Sequence, residues 1–453
     1  MSGVLLFSSQ FPIFSTTTTA TKTTHRFACH VIPRQSLNQS TPPDQQSPNP
    51  KTILSTITNL LWGQSLPPGL LISTVRTTWN STWQLMMSQL APSDSSGRYT
   101  RPASKFRLNP PFTLQNSTTL HLYVGLPCPW AHRTLIVRAL KGLEDVVPVS
   151  IAGPGQDGSW EFKDIPISNR DRNILVPGRD NANGCRNLKG VYGLRRSGGY
   201  SGRATVPMLW DVEKKEVGCN ESYDIIEFFN SGLNGLARNP GLDLSPKELK
   251  GRIGEWNGLI YPNVNNGVYR CGFAQSQDAY DSAVNGLFTT LEVVEDHLTT
   301  SRYLCGDTLT LADVCLFTTL IRFDIVYNVL FKCTKKKLIE YPNLHGYMRD
   351  IYQMPKVAET CNFSAIMDGY YKVLFPLNPG SICPVMPSGC EHEVLSTPHN
   401  RESVISEQDY QTGSLNTRFL SWREWDGSPK CSIRIAVQTM SYTVVSLSSY
   451  ASG

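Results

Sequence analysis

Apolar residues alternate at Leu120, Leu122 and Val124, then recur at helical spacing at Leu135, Ala139 and Leu140 before Gly142. A period of two predicts a strand, a period near 3.6 a helix, and a glycine just past the last periodic residue its stop. The run Val146 to Ile151 predicts a further strand. The connection from Ala152 to Gly202 is rich in Gly, Arg and Asn. At about fifty residues it exceeds what a compact domain normally leaves structureless, so it is expected to fold partly on itself or to wall a site. Within it Gly153 to Gly158 reads as turns, because no strand feeds it and no helical pattern leaves it. Thr205 to Asp211, a charged turn with a short strand within Glu213 to Gly218, and a helix from Ser222 carrying Ile225, Ile226, Phe228 and Phe229 complete an α/β unit. Pro207 inside an apolar strand implies either an edge position or a cis bond after Val206. Beyond Pro240 strand signals largely vanish and helical patterns continue to about Phe375, the clearest starting at a capping-box-like Thr310 to Asp313, with Asp313 structural.

The two ends differ from this body. Residues 1–96 hold Pro-rich spacers around short apolar pieces, with a helical pattern from Ser73 to Leu90 (Trp79, Trp83, Met86, Met87). The start is rich in Ser, Thr and Pro, holds Lys22, Arg26 and Arg34, and has no acid before Asp44. That composition resembles an organelle transit peptide, plastid in preference to mitochondrial; a plain disordered tail is the alternative. The expected domains are 1–96 as extension, 97–240 as α/β, 241–390 as all-helical, and 391–453 as a poorly ordered tail, with an alternating piece around Cys431 to Val437.

Charge and cysteine usage narrow the function. A net charge of +5 without Lys/Arg blocks gives no reason to expect nucleic-acid binding. No apolar run approaches the ~18 residues that a membrane span needs, so a soluble chain is expected. The twelve cysteines are scattered, with no Cys-x-x-Cys pair and no zinc spacing, and are read as mostly reduced thiols. Glu391-His392-Glu393 is too isolated to form a metal site, and no metal is predicted.

Candidate chemistry begins at Cys128-Pro-Trp-Ala-His-Arg133. Pro129 suits the first helical position, where its missing N–H would have had no partner. The cysteine before it faces the remaining free N–H groups, which with the helix dipole favour a thiolate. A nucleophilic and a buried structural cysteine are both open on this motif alone.

Taken together, Cys-Pro at a helix start, Val-Pro before a strand, Glu-Ser at the next helix start and a following helical domain resemble a glutathione transferase. Cys128 to Arg133, Asn265-Asn-Gly-Val-Tyr-Arg-Cys-Gly-Phe-Ala274, and Asp368-Gly-Tyr-Tyr with Leu377-Asn-Pro379 resemble more narrowly the glutathionyl-hydroquinone reductases, the Xi class, over roughly residues 97–404. The resemblance implies a thioredoxin-like α/β domain and an all-α C-terminal domain; the N- and C-terminal extensions lie outside it and are expected to be disordered from their composition. It places the nucleophile on Cys128 and the proton donor and acceptor on Tyr269, with Tyr327 and Tyr370 near the sulfur and the choice between Tyr370 and Tyr371 open. Glutathione, the co-substrate, would be held by Trp160, by Thr205 and Val206 near Arg203, and by Glu221 and Ser222. A homodimer is usual in such a family. The chain departs from the pattern in its long 152–202 connection and in having Ile366-Met367-Asp368 where the family has histidines.

The implied chemistry is attack of Cys128 on the sulfur of a glutathionyl-hydroquinone, then release of oxidised glutathione by a second glutathione. A lowered thiol pKa gains thiolate but loses nucleophilicity, so the larger need is a proton at the quinol, which a tyrosine can handle. The alternatives are an Omega-like thioltransferase or dehydroascorbate reductase, and a non-catalytic binder of glutathione conjugates.

Overall fold

The computed structural model describes residues 68–108, 119–155, 158–163 and 174–404. The chain divides into two units, Met1–Val75 and Arg76–Gly453, of which the first contributes only the opening of a helix among the described residues. The transit-peptide reading and the alternating piece at Cys431 to Val437 lie outside the described residues.

Helix α1 (Pro68–Leu90) covers the helical pattern seen in the sequence. Its later turns belong to the second unit and are anchored there: Met87 and Ala91 are buried, and Trp83 Nε1 donates to the Pro376 carbonyl at 3.1 Å. After it, β1 (Leu120–Gly125) leads into α2 (Pro129–Lys141), and β2 (Val149–Pro154) returns parallel to β1, with Leu122 opposite Val149. The strand starts later than the apolar run because Val146 and Val147 close a turn onto the Leu143 carbonyl. Gly142 ends α2 in the left-handed conformation at φ 65°, where a side chain would be strained, as the helix-stop reading requires.

The long connection folds in part on itself. It holds β3 (Trp160–Glu161), antiparallel to β2, and α3 (Leu188–Gly193). Then β4 (Met208–Asp211) pairs antiparallel with β1 and with β5 (Glu216–Cys219), giving the strand order β3-β2-β1-β4-β5. The edge reading of Pro207 does not hold: β4 has a neighbour on each side, Pro207 stands just before it, and the Val206–Pro207 bond is cis. Helix α4 (Ser222–Glu227) follows and runs into a wide π turn, Phe228–Gly232.

The remainder is helical: α5 (Lys250–Ile260), α6 (Gly267–Gly272), α7 (Gln277–His297), α8 (Leu311–Leu320), α9 (Pro342–Tyr352), α10 (Phe363–Tyr371) and a short α11 (His392–Leu395). Helix α8 is buried all round, which fits its apolar sequence on every face. Asp313 is the structural residue expected, accepting from the Thr310 and Leu304 N–H groups and the Tyr347 hydroxyl. A π turn, Tyr261–Asn265, stands ahead of α6, which carries Tyr269, and a second, Phe323–Tyr327, contains Tyr327 itself.

Residues 391–404, grouped with the tail in the sequence reading, instead pack on the helical body. Leu395 and Arg401 are buried, and Arg401 Nη2 donates to the carbonyls of Leu298, Ser301 and Arg302 at 3.0, 2.6 and 3.1 Å. All ten described cysteines are free thiols. Among the described residues no group of His, Cys, Asp and Glu could hold a metal, and no helix is long and apolar enough to cross a membrane.

Candidate active site

Cys128 occupies the cap position ahead of α2, extended at φ −75° and ψ 116°, with Pro129 in the first turn. A turn in which its N–H donates to the Gly125 carbonyl at 3.0 Å hangs it off the end of β1. The thiol donates to the Val206 carbonyl at 3.5 Å. Its sulfur sits in a partly open position with dense packing around it.

The expectation of a thiolate is corrected here. Burial pushes the Cys128 thiol above its ordinary value, outweighing the Ala131 and Trp130 N–H groups and the positive charges of Arg101 and Arg322, all of which pull it down. A carbonyl as the thiol's acceptor also favours the protonated form, because it has nothing to donate to a thiolate.

Glycines let three neighbours approach. A Cβ on Gly125 would stand 2.2 Å from the Trp160 ring, so this glycine lets Trp160 lie against the end of β1. A Cβ on Gly369 would meet Pro127 Cγ at 2.1 Å, so α10 crosses directly over the residue before the cysteine. A Cβ on Gly272 would meet the Phe331 ring at 2.3 Å, which seats Phe331 against Tyr269 and Tyr327 at ring separations of 5.3 Å. Gly369→Ala is expected to destabilise the fold by ~1–3 kcal/mol through overpacking, against only ~1 kcal/mol gained in helix propensity. It also displaces Tyr370 from the cysteine, so urea unfolding and kcat should both report the change.

The tyrosines converge. Tyr269 and Tyr370 share a hydrogen bond of 2.6 Å between hydroxyls, and Tyr327 and Tyr370 one of 3.1 Å. Tyr269 and Tyr327 each lie within electrostatic reach of Cys128. Tyr371 points away and donates to the Ile325 carbonyl at 3.1 Å, so Tyr370 faces the site. Burial raises the pKa of all three phenols, and Tyr269 is raised further by Tyr327, Tyr370 and Cys128. All three are therefore neutral, and the cluster is equipped to donate protons before it accepts any.

Glu221 caps α4 by accepting from the Tyr223 N–H at 3.3 Å, and also accepts from Ser104 at 2.8 Å and Ser222 at 3.4 Å. Ser222 is buried, and Arg133 Nη1 lies 3.5 Å from its hydroxyl. Thr205 is engaged through its carbonyl by Tyr192 at 3.1 Å and through its hydroxyl by Asn220 at 3.3 Å. Arg203 is exposed and acts electrostatically on Tyr99; no described contact brings it to Cys128.

Several residues at the site carried no assignment from the sequence. The Arg101 and Arg133 guanidinium groups lie over the Trp130 ring at 4.0 and 4.4 Å. Arg133 Nη2 donates to Asn265 at 3.0 Å, and Asn265 in turn donates to the Cys315 carbonyl of α8 at 2.9 Å. Two of the quoted motifs thus meet at one buried bond. Arg133 and Asn265 stood inside those motifs and could have been singled out as polar residues amid apolar ones. Arg101 had no such signal, because the fold alone brings 101–108 beside α4, through Arg107 and Asp224 at 2.6 Å and Phe106 and Asn220 at 3.1 Å.

Comparison with known proteins shows the family and the fold. Residues 127–231 match the glutathione S-transferase N-terminal domain, and residues 277–350 the glutathione S-transferase C-terminal domain. The chain is 41% identical over 338 residues to the glutathionyl-hydroquinone reductase YqjG of Escherichia coli, covering 72% of this chain and 96% of that protein. It is 40% identical over 324 residues to the glutathionyl-hydroquinone reductase PcpF of Sphingobium chlorophenolicum, covering 71% and 96%. Among solved structures it is similar to glutathione-bound YqjG, with a TM-score of 0.59 over 68% of this chain and 94% of that one at 40% identity. The glutathione transferase Xi of Phanerochaete chrysosporium gives a TM-score of 0.60 over 66% and 95% at 39% identity. The chain belongs to the glutathionyl-hydroquinone reductases, the Xi class of the glutathione transferases.

Proposed function

We propose that this chain reduces glutathionyl-hydroquinones, with glutathione as the reductant. The observation that carries the reading is the cluster of three hydroxyl-linked tyrosines within reach of a cysteine at a helix start. A thioltransferase acting on small disulfides needs the cysteine but no such phenolic cluster.

Cys128 loses its proton to solvent and its sulfur attacks the sulfur of the substrate thioether. A Cys128–glutathione disulfide forms, the bond between sulfur and the ring carbon breaks, and the ring carbon leaves with the bonding pair. Tyr269, neutral and donor-ready, supplies a proton to the departing ring, while Tyr370 and Tyr327 pass hydrogen bonds behind it. A second glutathione gives up its thiol proton, which restores the Tyr269 hydroxyl, and its thiolate attacks the mixed disulfide, giving oxidised glutathione and restoring Cys128. For the glutathione moiety we assign Trp160, the backbone of Thr205 and Val206, Arg203, Glu221 and Ser222. Support comes from the Val206 carbonyl lying at the sulfur and from Trp160 against Gly125, whose carbonyl holds the cysteine's N–H. YqjG and the yeast Xi enzyme ECM4 have each been solved with glutathione bound.

Supplying a glutathionyl-hydroquinone with glutathione tests the reading, and rapid release of the free hydroquinone is the expected result. Turnover confined to small disulfides or dehydroascorbate, or saturable binding without turnover, would overturn it. The acid-poor, Ser/Thr-rich start supports plastid import, which uptake by isolated plastids would check, and family habit supports a homodimer, which sedimentation would check.

A further inference from the structure

Arg322, which ends the apolar run of α8, is fully buried. Nε donates to the Pro127 carbonyl at 3.1 Å and Nη2 to the Leu126 carbonyl at 2.9 Å. Nη1 donates to the Thr318 carbonyl at 2.8 Å and to His132 Nδ1 at 2.9 Å. A guanidinium has no acceptor atom, so His132 Nδ1 must be the unprotonated nitrogen and Nε2 carries the hydrogen, which it donates to Thr360 at 2.8 Å. Burial and Arg322 together hold His132 well below its ordinary pKa, so the imidazole is neutral. Every hydrogen-bond partner of Arg322 among the described residues is therefore neutral.

This arrangement is unusual for a buried cation, which ordinarily sits beside a carboxylate. Arginine cannot escape the cost by losing its proton. Two of its four hydrogen bonds go to the backbone of the two residues immediately before Cys128, and its charge acts on Cys128, Tyr327 and Tyr370. The groups in that neighbourhood able to become anions are the Cys128 thiol, the three phenols, and the buried Cys361 thiol, which lies 3.8 Å from His132 Nε2 and also feels the Arg322 charge; of the two thiols, Cys128 is the one whose turn Arg322 holds.

We propose that Arg322 is a positioning residue for the cysteine step: it fixes the 126–128 turn through two carbonyls and supplies the buried positive charge that the Cys128 thiolate requires. The proposal deepens the function proposed above and rests on it. The thiolate also faces the Trp130 and Ala131 N–H groups and the Arg101 cation, while Tyr269 and Tyr327, neutral in the resting protein, are the titratable groups opposite. Arg101, whose pull on the thiol is the larger of the two, reaches in from the half-exposed 101–108 segment, whereas Arg322 is fixed by four bonds and shielded from solvent, where screening is weakest.

The test is the pH profile of Cys128 alkylation by iodoacetamide in the full chain, without glutathione, for wild type, Arg322→Met and Arg322→Lys. Far-ultraviolet dichroism identifies folded variants. Removing a positive charge that favours the anion cuts the thiolate fraction at pH 7 by more than the greater basicity of the remaining thiolate recovers. Arg322→Met is thus expected to react more slowly at pH 7, with its midpoint moved upward. Arg322→Lys keeps the charge without the fork, so it is expected to restore the midpoint while kcat stays below wild type. Should Arg322→Met not fold, Arg322→Lys alone decides, through an unshifted midpoint with lowered kcat. An unshifted midpoint in folded Arg322→Met, or a midpoint in Arg322→Lys displaced from wild type, overturns the proposal. Alkylation uses no quinol, so the midpoints stand apart from whether glutathionyl-hydroquinones are the substrate, and only the kcat comparison rests on that function.

Discussion

Cys128→Ser is expected to lower hydroquinone release by more than about a thousandfold, because a serine oxygen cannot form the disulfide through which the reaction passes. The fold should tolerate the change. The side chain makes no cap bond to α2, its thiol's described partner is one carbonyl at 3.5 Å, and a hydroxyl can donate to the same atom. Mass spectrometry of wild type quenched during turnover should find one glutathionyl group on Cys128, and the variant should carry none there. A serine variant that turns over, or a wild type never glutathionylated at this residue, would remove the cysteine from the mechanism. In the ligand-free wild type the alkylation midpoint should lie above the ordinary cysteine value of ~8.5, since burial disfavours the anion.

Tyr269→Phe carries the second large effect, a loss in kcat of about 10²–10⁴ with little change in glutathione affinity. The phenol to be removed shares its hydrogen bond with Tyr370, so the variant leaves the Tyr370 hydroxyl bonded to Tyr327 and the aromatic packing against Phe273 and Phe331 in place. Reduction of a small glutathione mixed disulfide, in which Cys128 takes the glutathionyl group, a thiolate leaves and a second glutathione then restores Cys128, needs no proton at a ring carbon and should be nearly unaffected. That contrast separates a proton-transfer defect from a structural one. Because burial raises the phenol's pKa above the ordinary tyrosine value of ~10, wild-type kcat should not fall through loss of this acid anywhere below that pH. Equal loss in both reactions would mean that Tyr269 acts by packing alone.

The fold was largely legible because its signals are local. The alternation in β1, the Pro129 start and Gly142 stop of α2, and the Thr310 to Asp313 cap each lie within a few residues, and each formed where its pattern placed it. Pro207 was ambiguous for the opposite reason. Whether a proline precedes an edge or an interior strand depends on which strands flank it, and β1, which flanks β4, comes from far back in the chain.

At the site, the residue types at Cys128 and the Tyr370-Tyr371 pair were visible, but their states were not. The helix start correctly points N–H groups at the sulfur, yet the density of the surrounding helical domain decides the sign of the shift in its pKa, through desolvation that no local motif encodes. The choice of Tyr370 over Tyr371 follows from the path of α10 across Pro127, permitted by Gly369.

By itself the sequence determined the order of elements, the position of the Cys-Pro helix start and the family, because periodicity, caps and motifs are written in neighbouring residues. Only the tertiary structure decided that three distant tyrosines share hydrogen bonds, that the cysteine rests as a thiol, and that Arg322 lies buried behind it. Those properties depend on the exclusion of water and on contacts between residues far apart along the chain, 101 positions for Tyr269 and Tyr370 and 195 for Arg322 and Pro127, and they exist only once sheet and helices have packed.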